Sequence, residues 1–275
     1  MTAARVQWRQ VGVIAEKEFR DRIRNRWVLA VAVLFTAFAL AIAYLGAAQQ
    51  GSVGFRGIDV TIAGLVSLVI YLVPLIALLL GYDAIVGERD KGSLELLLTM
   101  PITRLELVIG KFSGLAAALA FSTLAGFGLA GVLLSYQIGL AALLHYAVFM
   151  VSALLLGLSF LSLAMLVSVL AGNRMRASGV AIGLWFFFVL VYDLLLLGFL
   201  VVTEGKYDLG FFPLLLMLNP ADIFRILNVF WLEDVRQLYG LATVFPAVLA
   251  NVWILGAAMA LWIAAPLAFA IWRFR

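Results

Sequence analysis

Apolar residues in this chain gather into long runs separated by short polar stretches. Six runs are long enough to cross a bilayer as helices: residues 27–48, 61–82, 105–136, 141–171, 178–202 and 244–272. The first, of 22 residues, reaches about 33 Å at 1.5 Å per residue, against a hydrocarbon core of about 30 Å. Pro74 interrupts the second run, where a kink is expected. The fourth is longer than a bilayer needs and is expected to tilt or protrude. Between the first two lies a flexible connection carrying Gly51, Gly54 and Gly57.

Three shorter segments are amphipathic. In residues 1–26, Val11, Ala15, Phe19 and Ile23 recur every four positions while Glu16, Lys17 and Arg20 lie off that stripe. This predicts a helix lying in the membrane surface. In residues 93–100, Leu94, Leu97 and Leu98 share one helical face, with Ser93 as cap, Glu95 in the first turn and Pro101 as terminator. Residues 222–239 place Ile223, Leu227, Phe230, Trp231 and Leu238 on one side. Just before them, the apolar stretch 210–219 is too short to cross and is expected to be re-entrant or interfacial. The fold class is therefore all-α: a polytopic membrane protein with six transmembrane helices and one domain over residues 1–275, with no separate soluble domain.

Composition agrees, at 65% hydrophobic and 12% charged residues, where soluble domains sit near 45–50% and 25%. The net charge of +4 suggests nucleic acid at first sight, but the basic residues sort by membrane side instead. Fifteen of the 19 lie in the N-terminal segment, residues 87–111, the turn with Arg174 and Arg176, and the end with Arg273 and Arg275. An even number of spans puts all four regions on one face, which the positive-inside rule makes the cytoplasm. The expected location is the bacterial inner membrane, with both termini cytoplasmic. Acidic residues interleaved with the N-terminal basic ones argue against nucleic-acid binding. No secretory signal peptide is expected, and the absence of cysteine rules out disulfide and thiolate chemistry.

The densest polar stretch is 87–111, GERDKGSLELLLTMPITRLELVIGK, with eight charged side chains between two spans. It must sit in water. On residue chemistry alone it is either a docking rod for a partner's groove or a solvated loop whose helix rests on lipid headgroups. Glu88-Arg89-Asp90-Lys91-Gly92-Ser93-Leu94-Glu95, with Leu96 to Leu98, Pro101, Glu106 and Gly110-Lys111, resembles the signature of type-2 ABC permeases. Asp90 and Ser93 replace the Glu and Thr expected there. The resemblance implies an N-terminal elbow helix (1–26) and a coupling region (87–111) that docks on a separate ATP-binding subunit holding ATP and Mg²⁺. Glu88, Arg89, Gly92, Ser93, Leu94, Glu95, Leu97 and Leu98 are the candidate docking residues. EKEFRDRIRNRW near the N-terminus and LNPADIFR later narrow the likeness to permeases serving maturation of nitrous oxide reductase, a copper enzyme. That implies a homodimer in membrane lipid and a periplasmic subunit outside. The loop 203–243 carries the candidate contacts Phe224, Phe230 and Trp231, whose residue types also suit the bilayer surface.

Chemistry of its own is not expected of the chain. It has no GxxxxGK[ST] phosphate loop, no HExxH and one histidine, His145, so neither catalysis nor a cofactor is predicted. Met150, Met165, Met217 and Met259 are scattered in the manner of apolar packing rather than copper ligation. Asp193 is the one acid inside a span, beside Tyr192. It is either part of a transport path with Tyr192 and Asn251, or a boundary residue paired with a Tyr or with Asn251. Two other classes stay open beside an ATP-driven permease. A gradient-driven transporter should show several intramembrane charges; a membrane anchor would assemble partners without moving a solute.

Overall fold

The computed structural model describes residues 6–24, 26–45, 58–138, 142–202, 212–229 and 251–274. Their regular structure is entirely helical. In order the elements are α1 (Trp8–Arg24), α2 (Trp27–Leu45), α3 (Ile58–Gly81), α4 (Val86–Asp90), α5 (Ser93–Thr99), α6 (Arg104–Ile138) and α7 (Ala142–Leu170). There follow α8 (Arg174–Phe186), a π-helical segment (Phe187–Val191), α9 (Tyr192–Val202), α10 (Phe212–Met217), α11 (Pro220–Val229) and α12 (Val252–Arg273). Five helices are long and apolar enough to cross a membrane, namely α3 continued through α4, α6, α7, the α8–α9 rod and α12, and a sixth is reached when the bent pair α1–α2 is counted as one span. The axis turns by 63° between α1 and α2, at Arg26 with its positive φ of 54°.

Helix α7 is the hub, packed by α3, α6, α11 and α12. Phe149, Phe160 and Met165 on it are fully enclosed. Its four serines face the interior too, and three of them find an acceptor: Ser152 donates to the Phe149 carbonyl, Ser159 to that of Leu155 and Ser162 to that of Ile263 on α12. Hydroxyls out of reach of water must be paired this way. Toward the end of the bundle where α11 packs, Phe35 stacks on Phe127 at 4.7 Å, and Phe149 meets both Phe127 and Phe224.

Helix α3 carries Pro74 within it and gives way to turns at residues 82–85, before α4. On α1 three residues of the predicted stripe, Val11, Ala15 and Phe19, turn toward α6 and only Ile23 is exposed, while Ile14 and Glu18 join the inward face. Glycines set that seam. A Cβ at Gly110 would lie 2.7 Å from Ile14 Cβ, and one at Gly114 would lie 2.5 Å from the Ala15 carbonyl and 2.7 Å from Glu18 Cβ. Of the small-residue pairs visible in the sequence, Gly126 does press on α2, at Ala32 and Phe35, whereas Gly179 and Gly183 have nothing near them.

Helix α6, at 35 residues, is about 52 Å long and overshoots a bilayer core of about 30 Å. Its first turns carry the charged Arg104, Glu106 and Lys111 and lie beside α1. Gly114→Ala is expected to push α1 off α6 and lower stability by about 1–3 kcal/mol, as overpacking does. Gly128→Ala, with nothing within 4 Å, should change it by no more than about 0.5 kcal/mol. Thermal denaturation of the two variants in detergent checks the contrast.

Candidate coupling site and outer hairpin

The coupling segment begins where α3 stops. Gly81 passes so close to α7 that a Cβ would meet Ala164 at 2.8 Å and Leu161 at 2.9 Å. After the break, the backbone N–H groups of Ile85 and Val86 open α4 with no helical partner. Both donate to the Ser168 hydroxyl of α7, at 2.8 and 3.1 Å. Around this joint, Arg174 donates to Asp83 at 2.9 Å, its backbone N–H to Asp90 at 2.8 Å, and Arg89 donates to the Ala171 carbonyl at 2.8 Å. The end of α3, α4, the end of α7 and the start of α8 are thereby tied together.

Gly92, with φ of +71°, lets the chain turn from α4 into α5. It occupies the N-cap position, so Ser93 is the first helical residue rather than the cap. The Ser93 hydroxyl turns back instead and bonds the Glu88 carboxylate and carbonyl. The orientation of α5 also departs from expectation. Leu94 is buried and Leu97 and Leu98 are half-buried, all against the chain's own core, while Glu95, Leu96 and Met100 project outward. Helix α5 forms a ridge between two grooves. One, of about 580 Å³, is lined by Arg89, Glu95, Leu98, Arg104 and Phe274. The other, of about 550 Å³, separates α5 from α1 and is lined by Val13, Ile14, Lys17, Leu97, Met100 and Ile102.

Helix α6 opens with a capping box: Thr103 Oγ1 accepts from the Glu106 N–H at 3.2 Å, and Glu106 Oε2 from the Thr103 N–H at 2.7 Å. Glu106 Oε1 takes the Gln7 N–H at 2.6 Å, just ahead of α1, so one carboxylate serves two helix starts. One turn on, the ammonium of Lys111 lies between Glu18 of α1 at 3.1 Å and Glu88 of α4 at 3.0 Å. Arg22 continues the chain of charge from Glu18 to Asp83. Glu88 is thus turned inward, with its two oxygens on Lys111 and Ser93. Arg89, Gly92 and Glu95 remain on the surface.

At the other end of the bundle, α10 and α11 form a hairpin seated among α3, α7, α12 and the π segment. Asp193 is paired, but with neither of the partners foreseen: Arg225 of α11 donates to it at 2.8 Å and to Asp222 at 2.7 Å. The Tyr192 hydroxyl donates to the Leu215 carbonyl, and Asn251 caps α12 by accepting from the Trp253 N–H. The Asn219 amide donates to the Phe188 carbonyl in the π segment at 2.9 Å and to Asp222 at 3.0 Å. Burial pushes the Asp222 carboxyl above its ordinary range; Arg225 opposes this and Asp193 adds to it. Phe224 is fully buried against Phe149, so within this chain it is core rather than a docking surface. Phe230 and Trp231 lie outside the described residues. No cluster of three metal-ligating side chains occurs among the described residues.

Arg225→Met would strand the buried Asp222 beside Asp193. A loss of about 3 kcal/mol is expected, as for other broken buried pairs. Asp193→Asn leaves Arg225 on Asp222 and should cost no more than about 1 kcal/mol. Melting temperatures of the two variants in the same detergent test this asymmetry.

A model described as the ABC-2 family transporter protein matches residues 13–275. The chain is 45% identical over 271 residues to the "Probable ABC transporter permease protein NosY" of Pseudomonas aeruginosa, covering 96% of this chain and 98% of that one. It is 44% identical over 275 residues to the protein of the same name from Stutzerimonas stutzeri, covering 97% and 99% respectively.

Proposed function

From the premise that this chain belongs to the ABC-2 transporter family and is its membrane permease, we propose that it couples ATP hydrolysis by a separate NosF-like subunit to work across the membrane. The observation that carries this is α5: a short ridge flanked by two grooves, held rigidly from behind and presenting Leu96, Met100 and Glu95 to solvent. Closure of the ATPase pair around ATP and Mg²⁺ pushes on that ridge. The bonds of Ser168, Arg174 and Arg89 pass the displacement to α3, α7 and α8.

The same reading makes the protein a homodimer of the bacterial inner membrane, with both termini in the cytoplasm. The sorting of basic residues supports the orientation. The fifth span supports the dimer, since Val180, Ile182, Phe186, Leu194 and Leu197 stand exposed along it. Near-full-length identity to proteins named NosY supports a role in assembling the copper site of nitrous oxide reductase, with a NosD-like periplasmic subunit met at the outer hairpin and the loop around it. The work is passage of a solute or transmission of force to that subunit.

The burial of Leu94 changes which substitution tests docking. Leu94→Asp should destabilise the permease itself. Leu96→Asp should leave folding within about 0.5 kcal/mol while removing a groove-filling contact of about 1.5–3 kcal/mol from the complex. Copurification of the ATPase subunit, and ATPase activity stimulated by the permease, are the measurements. Wild-type values of both in Leu96→Asp would refute the docking face.

A further inference from the structure

Lys111 is 5% exposed, and its two carboxylate partners belong to helices that join α6 from different sides. Helix α1 packs chiefly on α6, along the Gly110 and Gly114 seam, whereas α4 is held by α5, α7 and α8. The link between α1 and α4 is therefore carried by charge: Glu18 to Lys111 to Glu88, with Arg22 reaching from Glu18 to Asp83. A buried ammonium shared by two carboxylates holds both strongly, because releasing either leaves an anion uncompensated in a poorly solvated place. Glu88 is further fixed by Ser93, at the start of α5.

We infer that Lys111 is a positioning residue that pins the elbow helix α1 to α4 and α5, so that the three move as one body when the ATPase acts. The inference rests on the proposed coupling function. It adds that force enters the membrane through α1 and α2 as well as through α3. The elbow is then a second lever arm and not only a float on the lipid surface.

The chain contains no cysteine, so spin labels can be introduced at chosen sites alone. Arg20→Cys and Lys91→Cys, both at exposed positions, report the separation of α1 from α4. Lys91→Cys with Trp253→Cys, at the outer start of α12, reports whether the cytoplasmic element moves at all. Distances are read by pulsed electron resonance in the permease–ATPase complex, nucleotide-free and ATP-trapped, with labelled subunits diluted by unlabelled ones.

In the otherwise wild-type background the 91–253 distance should change with nucleotide while the 20–91 distance stays fixed. Lys111→Met combined with Glu18→Gln and Glu88→Gln removes the pin without stranding a charge. In that variant the 20–91 distance should become nucleotide-dependent, and stimulated ATPase activity should fall about tenfold, the size of an ordinary coupling between sites. Should this variant not fold, Glu88→Gln alone frees α4 while leaving Lys111 on Glu18, and carries the same comparison. A 20–91 distance that shifts without these changes, or stays fixed despite them, overturns the pin. A 91–253 distance indifferent to nucleotide sinks the coupling function itself and the pin with it.

Discussion

Ending a helix near a membrane leaves backbone N–H and carbonyl groups without partners, and the bilayer offers none. That constraint governs both ends of this molecule. At residues 82–85 the second span must stop and a new helix must start, and the orphaned N–H groups of Ile85 and Val86 are taken by Ser168, from a helix more than 80 positions away in sequence. Glu106 does the same for Thr103 and Gln7. Each repair joins one helix to another. The need to satisfy polar groups thus welds these helix ends into a block, and such a block transmits displacement better than a set of tethered rods.

Helix α7 explains why the block is anchored where it is. It is the most enclosed span among the described residues, and its serines give it polar contacts from Ser152 with Asn228 in the α10–α11 hairpin to Ser168 at the 82–85 joint. A push at α4 therefore meets a helix that touches both ends of the bundle. The α8–α9 rod, by contrast, is held through α8 by α3, α4 and α7 and through the π segment by α11, while the end of α9 stands exposed at Val201 and Val202.

The spans were legible because apolar length alone specifies a membrane helix, and α5 was legible from the leucine spacing and Pro101. What the sequence hid was orientation. Leu94, Leu97 and Leu98 form an apolar face, but periodicity does not say whether such a face meets a partner or the chain's own core. Glu18 and Lys111 were unreadable as buried ions, since their enclosure depends on how closely two helices approach. The spacing of Gly110 and Gly114 was the available clue, a small-xxx-small pair just where α1 lands. Thr103-Arg104-Leu105-Glu106 was likewise a visible capping box. The partner of Asp193 was not foreseeable: Arg225 lies 32 positions on, in a hairpin whose packing no local pattern fixes.

The π-helical segment sets the register of the outer half of the fifth span. There the Tyr192 N–H reaches the Phe187 carbonyl, five residues back, and the neighbouring Phe188 carbonyl is taken by Asn219. Such a segment amounts to one residue inserted into an α-helix, and one residue is about 100° of rotation in a helix of 3.6 residues per turn. Winding the same residues as ordinary α-helix, with none removed, would swing the acid at 193 away from the guanidinium it meets. The wide turn is therefore as much a part of this closure as any charge.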